Sequence, residues 1–324
     1  MDLRSILKHN TWLVVFIAIA ISFVFPKPGL WIGPLVAYML MVLMYLSCID
    51  ISGKQIVGQL SNWKKNLVVL IIIHLLSPLI VFLLRPWLSA DIFVGLILAA
   101  AMPSGMSVVF LSCMYCERKG HKNRVFTFFL NVFSKFFPVS RNVAPKALVI
   151  TTISNLLSPI SVALVVLLFA GTLVDINIWP ISLTIIRLVF IPLVFAKFLT
   201  SDKLKNKFKN YSGEISLVLL FLIMLGVISP LKSVIIANWQ LSLALSALIF
   251  CLILINFLVG WFLGNNREDK ITYGITASYK NFTLASVVAL SVLNPLAALP
   301  AIVYAVINNL FLIPLQLIFL REKR

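Results

Sequence analysis

Long uninterrupted apolar runs are the feature of this sequence that most constrains its fold. Each run approaches the roughly 20 residues that an α-helix needs to cross a bilayer, whereas a membrane β-barrel shows alternating segments of about ten residues. With 61% hydrophobic and 11% charged residues, the composition excludes a soluble domain and a disordered chain. The sequence therefore predicts an all-α polytopic membrane protein. About ten transmembrane helices are expected, at 11–26, 31–49, 66–84, 92–113, 147–170, 179–199, 215–230, 240–264, 271–293 and 300–320.

Basic residues are distributed unevenly between alternate loops. The chain carries 27 Lys and Arg against 10 Asp and Glu, and most of the basic residues lie in the termini and in the loops on the same side. The loops on the other side hold Lys27, Arg85 and Lys232. Because cytoplasmic loops are enriched in Lys and Arg, we expect a multi-pass plasma-membrane protein with both termini in the cytoplasm. Anionic lipid headgroups are the expected partners of the basic loops, and no nucleic acid is needed to explain the charge.

The two halves of the chain share a faint internal similarity. Asn155-Leu-Leu-Ser-Pro159 in the fifth run resembles Asn309-Leu-Phe-Leu-Ile-Pro314 in the tenth. Five spans between these points would give the halves opposite orientations, as in the inverted repeats of secondary transporters. We therefore predict two five-helix repeats, at 1–170 and 171–324. The basic insertion at 114–146 is open to three interpretations: an amphipathic helix on the membrane, a helix packed on the protein, or a plain loop.

Polar residues interrupt the fourth and ninth runs. The fourth contains Pro103-Ser-Gly105, then Ser107, and the ninth contains Thr276-Ala-Ser-Tyr-Lys-Asn-Phe-Thr283. Backbone groups freed by a helix break at membrane depth must line a cavity or be buried in protein. We expect two broken helices that cross, with their ends facing an ion or a substrate. The alternative is a pair of kinked helices that serve packing alone.

The ninth and tenth runs resemble the bile acid–sodium symporter family. The resemblance lies in Tyr279-Lys-Asn-Phe-Thr-Leu-Ala, Leu293-Asn-Pro-Leu-Ala-Ala-Leu-Pro300 and Tyr304-Ala-Val-Ile-Asn-Asn309, with Pro103-Ser-Gly105 and Thr151 to Pro159 in support. It implies ten helices, divided into a panel (segments 1, 2, 6 and 7) and a core (segments 3–5 and 8–10), with helices 4 and 9 broken and crossed. It also implies transport of organic anions coupled to two sodium ions bound near the crossing.

The resemblance implies that the family's sodium ligands are largely replaced in this chain. A family Glu aligns with Thr276 and a family Gln aligns with Lys280, whereas Thr151 retains a family threonine. Hard cations prefer oxygen ligands that include a carboxylate. Loss of a carboxylate and gain of an ammonium group would repel sodium at low dielectric. We therefore expect no coupling to sodium through the usual family sites.

The predicted function is secondary active transport of a small organic anion by alternating access. Lys280 is expected to be the charge partner of the anion or a proton carrier, with static pairing to a backbone carbonyl as the alternative. His74 is a second candidate proton carrier, with a hydrogen-bonded packing role as its alternative. No cofactor is expected, and a proton is the candidate coupling ion. The predicted substrate and ion site comprises Lys280, Asn281, Thr276, Thr283, Ser104, Gly105, Ser107, Thr151, Asn155, Asn309 and His74.

The sequence leaves other functions open. They are a sodium-coupled organic anion symporter, an arsenite- or auxin-type efflux carrier, and a transport-inactive homologue acting as a receptor or scaffold. Sodium–proton exchange is disfavoured, because the acidic residues lie in loops or at segment ends, as Asp91 and Glu214 do. An enzyme is not expected, because no nucleophile–base pair or cluster of metal ligands lies within an apolar run.

Overall fold

The structure is a computed structural model that describes residues 11–49, 63–105, 143–171, 178–199 and 212–320. Within these ranges the chain is helical almost throughout and forms no strand beyond one isolated pair of bridging residues. Ser107 and most of the insertion predicted at 114–146 lie outside the described ranges. The helices are α1 (Thr11–Val24), α2 (Pro26–Ile32), α3 (Val36–Ile49), α4 (Trp63–Ile71), α5 (Ser77–Leu83), α6 (Ala90–Ala101), α7 (Val143–Ala170), α8 (Ile178–Ile185), α9 (Ile191–Val194), α10 (Ser212–Ile228), α11 (Lys232–Ala237), α12 (Trp239–Leu263), α13 (Arg267–Ser278), α14 (Phe282–Val292) and α15 (Pro295–Leu320).

Short 3₁₀ and π-helical turns join several of these helices. The 3₁₀ turns are Gly33–Leu35, Arg85–Trp87 and Ser229–Leu231, and the π-helical turns are Ile72–Leu76, Ile186–Phe190 and Phe195–Leu199. Each 3₁₀ turn contains a proline in its first positions, where a missing amide hydrogen costs little. As a result, neighbouring helices and turns join into continuous helical stretches that are longer than any one of them.

Five of these stretches, among the described residues, are long and apolar enough to cross a membrane. They are Pro26–Ser47, Trp63–Leu83, Lys146–Ala170, Glu214–Ala237 and Trp239–Leu263. Shorter apolar helices cover Leu13–Val24, Ala90–Ala101, Trp179–Val194, Phe282–Val292 and Pro295–Phe311. The helical fold expected from the apolar runs is thus confirmed for the described residues, which contain five candidate membrane spans. The number of crossings, the inverted repeats at 1–170 and 171–324, and the division into panel and core stay predictions.

The N-terminal ends of α7 and α13 are joined by an ion pair. Lys146 Nζ lies 2.5 Å from Asp269 Oδ1 and 4.9 Å from the centre of the Tyr273 ring. Asp269 belongs to the first turn of α13, where Asn266 Oδ1 accepts the Asp269 amide hydrogen at 2.8 Å. An acidic residue in a first turn also interacts favourably with the helix dipole. These contacts fix the position of α13, which leads directly to the interrupted part of the ninth segment.

Candidate functional site: a crossing of two interrupted helices

The fourth segment loses its helical conformation at Pro103. Helix α6 ends at Ala101, and Met102 is extended, with φ −58° and ψ 149°. The residue before a proline is driven out of the α conformation by a clash with the proline ring, and proline itself donates no hydrogen bond. The backbone from Met102 to Gly105, where this described range ends, is therefore free to pair with another segment.

The freed backbone of the fourth segment pairs with the break between α13 and α14. The Gly105 amide donates to the Tyr279 carbonyl at 2.8 Å, and the Asn281 amide donates to the Pro103 carbonyl at 2.8 Å. Two short extended pieces thus cross, with Ser104 facing Lys280. A Cβ at position 105 would lie 2.8 Å from Tyr279 Cδ1 and 2.9 Å from the Lys280 carbonyl oxygen. Glycine is required at this position because the crossing backbone leaves no room for a side chain.

Asn155 of α7 connects both interrupted segments. Its Nδ2 donates to the Ser104 carbonyl at 2.8 Å and to the Thr151 carbonyl at 2.8 Å. Its Oδ1 accepts a longer bond from Asn281 Nδ2 at 3.4 Å. Asn281 in turn caps α14, since its Oδ1 accepts the Leu284 amide hydrogen at 3.1 Å. Two of the predicted site residues therefore hold the crossing together.

His74 bridges the polar groups exposed by the break after α6. Its Nδ1 lies 3.2 Å from the Ala101 carbonyl oxygen, and its Nε2 lies 3.0 Å from Ser154 Oγ. Because a carbonyl oxygen can only accept, Nδ1 carries the hydrogen, and in the neutral ring Nε2 accepts from the Ser154 hydroxyl. The same hydroxyl oxygen accepts the Ser104 amide hydrogen at 3.1 Å. His74 and Ser154 thereby satisfy one carbonyl and one amide that the interrupted helix leaves open.

Lys280 extends from the crossing to the third segment. Its side chain is fully buried, and its Nζ donates to the Ile73 carbonyl. Ile73 lies in the π-helical turn Ile72–Leu76, in which a carbonyl accepts from the amide five residues ahead. For Ile73 that residue is Pro78, which has no amide hydrogen. The Ile73 carbonyl is therefore left open by its own helix and receives the lysine.

The remaining predicted residues make more local contacts. Thr151 Oγ1 lies 3.4 Å from Ser104 Oγ, next to the crossing. Thr276 Oγ1 donates within its own helix to the Thr272 carbonyl at 2.7 Å. Asn309 Nδ2 also donates within its own helix, to the Ala305 carbonyl at 2.7 Å. Asn309 therefore does not mirror the bridging role of Asn155, despite the similarity of the two sequence segments.

Two further side chains that contact the crossing, those of Ser154 and Asn308, were not among the predicted site residues. Ser154 contacts His74, and Asn308 Nδ2 donates to the Lys280 carbonyl at 3.2 Å. The sequence could have indicated Ser154, because it lies three residues after Thr151 and therefore on the same face of α7. Asn308 adjoins Asn309 on a different face of α15, and its sequence alone does not indicate which of the two reaches the crossing.

A cleft separates the crossing from the second segment. On one side it is lined by Leu40, Leu43 and Met44 of α3, and on the other by Gly105 and the stretch 279–283. Thr283 lines this cleft although its exposed fraction is 6%. Within the part of the chain that the structure describes, neither its hydroxyl nor its backbone amide has a hydrogen-bond partner outside α14. Both groups lie in the first turn of α14, where the helix dipole is positive.

Comparison with known proteins finds similarity to membrane transporters. Residues 10–114 match the model of the SBF-like CPA transporter family. The protein of Bacillus subtilis (strain 168) named "Uncharacterized sodium-dependent transporter YocS" is 21% identical over 309 residues, which cover 92% of this chain and 86% of that protein. Together with the apolar helices, the two matches support an integral membrane protein that is similar to transporters of the SBF-like CPA family.

Proposed function

We propose that this chain is a secondary active transporter of a small organic anion, and that the anion's carboxylate binds at the N-terminus of α14. The observation that carries the proposal is the pair of donors on Thr283, its amide and its hydroxyl, which are free among the described residues and lie in a cleft beside the crossing. Unsatisfied amides at a helix N-terminus attract anions, because the donors and the dipole act together. A hydroxyl on the same residue adds a second hydrogen bond from a nearby direction.

The rest of the cleft favours a substrate with an apolar body. Leu40, Leu43 and Met44 face the crossing from α3, and Phe282 adjoins Thr283. Ligand sites commonly combine such an apolar lining with a few placed polar groups that set orientation. A carboxylate on a compact aliphatic or aromatic body matches the chemistry of this lining, and the cleft, with a volume of about 20 Å³ in this conformation, would have to widen to admit it. Movement of the crossing relative to α3 would open the cleft first to one side of the membrane and then to the other, which is alternating access.

The coupling ion and the membrane placement are part of the same proposal. Positively charged loops support a plasma-membrane location with cytoplasmic termini, and anionic lipid headgroups are the partners we propose for those loops. Proton coupling through Lys280 or His74 is one candidate mechanism. Sodium coupling is the second, and it is favoured by the name of the Bacillus subtilis relative.

Transport is tested by reconstituting the purified protein in liposomes. The vesicles are incubated with a mixture of small monocarboxylates, in sodium chloride or in choline chloride and at two pH values, and their contents are measured by mass spectrometry. We expect at least one carboxylate to enter protein-containing vesicles faster than protein-free vesicles. Equal uptake of every acid by both kinds of vesicle, under all conditions, would rule out the proposed transport of small monocarboxylates.

Thr283→Val is expected to weaken anion uptake while leaving the fold intact. Valine keeps the shape of threonine but lacks the hydroxyl, and a hydrogen bond to a charged group contributes about 1.5–3 kcal/mol. The apparent KM for the transported carboxylate should therefore rise by about tenfold or more. The matched control is Thr283→Ser, which retains the hydroxyl and should stay close to wild type. An unchanged KM in Thr283→Val would show that the Thr283 hydroxyl does not bind the anion.

A further inference from the structure

Backbone oxygens at the crossing are already paired within the protein. The carbonyls of Pro103 and Tyr279 each accept a hydrogen bond from a backbone amide of the opposite segment. The Ser104 carbonyl accepts a hydrogen bond from Asn155 Nδ2. The Ala101 carbonyl lies within hydrogen-bond distance of His74. Among the described residues no group of three or more His, Cys, Asp or Glu side chains lies together, and no carboxylate pairs with Lys280.

This arrangement does not fit a sodium site of the usual kind. Hard cations are bound by several oxygen ligands, commonly with a carboxylate among them. Here the backbone carbonyls named above already accept N–H donors, and a lysine side chain is buried among the same segments. A free cation would have to share these oxygens with the donors and approach the lysine, which like-charge repulsion at low dielectric opposes. The residues of this chain therefore do not support a sodium dependence like the one stated in the name of its Bacillus subtilis relative.

The Ile73 carbonyl differs from the carbonyls described above, because its donor is a lysine side chain. The π-helical turn and Pro78 leave it without a donor from its own helix, and the Lys280 Nζ binds it. Lysine reaches this oxygen from the break between α13 and α14, three residues before Thr283. A buried positive charge is therefore tethered close in sequence to the donors at which we propose the anion binds.

We infer that the Lys280 ammonium is a built-in monovalent cation that takes the place of a bound sodium ion at the crossing. It is held by the Ile73 carbonyl, as a free cation would be, but it is covalently attached and does not leave during transport. The positive charge that favours an organic anion would then be present without any ion in solution. The role of Lys280 as a partner of the anion rests on the proposed function. Its occupation of a cation position does not depend on that function.

The inference predicts a vacant cation position in Lys280→Ala. That variant removes the ammonium and most of the side chain, and it leaves the Ile73 carbonyl open beside a space shaped for an alkyl chain ending in a positive charge. Ethylammonium has the chemistry to fill it. A ligand that binds the folded state raises the melting temperature, so binding is measurable without knowledge of the transported substrate.

The experiment compares melting temperatures of the purified protein in choline chloride, sodium chloride and ethylammonium chloride at equal ionic strength and pH. Wild type should melt at the same temperature in sodium and in choline chloride. In choline chloride, Lys280→Ala should melt at a lower temperature than wild type. Ethylammonium chloride should raise the melting temperature of Lys280→Ala by about 2 °C or more beyond any rise that it causes in wild type. Lys280→Met, whose uncharged chain fills the same space, is the matched control and should gain nothing.

Two results would overturn the inference. A rise in wild-type melting temperature specific to sodium would show that a free cation binds in the presence of Lys280, and this test needs no variant to fold. Failure of ethylammonium to stabilise Lys280→Ala beyond Lys280→Met would show that the position does not hold a cation. Neither readout involves an anion, so absent carboxylate transport would contradict the proposed function and leave this inference standing.

Discussion

Replacing Gly95 with alanine is expected to reduce the free energy of unfolding by about 3 kcal/mol or more, the upper end of what overpacking costs. Helix α6 lies directly against α15 at this glycine, and a Cβ there would be 1.8 Å from the Ala297 carbonyl oxygen and 2.8 Å from its carbon. Both are backbone atoms of a helix, so no side-chain rotation relieves the contact. Small residues allow this close approach of membrane helices.

The two helices that Gly95 brings together also position the crossing. Helix α6 ends at Ala101, just before the extended piece, and α15 supplies Asn308, which contacts the Lys280 carbonyl. Forcing the helices apart should therefore lower transport together with stability. The measurement is the melting temperature of the purified variant in detergent, and then its uptake activity in liposomes.

Gly33→Ala is the matched control for Gly95→Ala. Apart from its chain neighbours and its own helix, the nearest atom to a Cβ at position 33 would be the Gly226 carbonyl oxygen, at an ordinary van der Waals distance of 3.6 Å. The same change should lower the melting temperature less than Gly95→Ala does, because its main cost is the smaller clash of a Cβ with the ring of Pro34. If the two variants melt at the same temperature, the close packing of α6 on α15 is not what the glycine provides.

Replacing Asn155 with leucine is expected to abolish transport and to destabilise the protein by about 2 kcal/mol or more. Leucine has a similar size but no polar atoms. The Ser104 carbonyl loses the donor that it has in Asn155, and Asn281 Nδ2 loses its acceptor. Each buried polar group left without a partner costs about 1–3 kcal/mol. Because both groups belong to the crossing, we expect their loss to shift the backbone that presents Thr283.

Asn309→Leu is the matched control for this prediction. Asn309 is as buried as Asn155, but its side chain bonds within its own helix to the Ala305 carbonyl. That carbonyl is also the helical acceptor of the backbone four residues ahead, so no polar group is left open by the substitution. Uptake by Asn309→Leu should resemble that of wild type. Equal losses in the two asparagine variants would contradict the role given to Asn155.

The sequence predicts most of the helices but fewer of the contacts between them. The apolar runs located the helices because every backbone group in a membrane must be paired within the chain, which leaves few alternatives to a helix. Pro103, Gly105 and the polar stretch from Thr276 to Thr283 located the two interruptions, because their effects on the backbone are local. Local chemistry of this kind is readable from neighbouring residues alone.

The sequence by itself determined that this chain forms apolar membrane helices with two polar interruptions. Tertiary structure decided which polar side chains serve the interruptions, because each contact joins residues far apart in the chain. Asn155 reaches the fourth and ninth segments whereas Asn309 stays within its own helix. The partner of Lys280 depends on a π-helical turn and on Pro78 in another segment. Helix rotation and packing set these distances, and spacing along the sequence does not encode them.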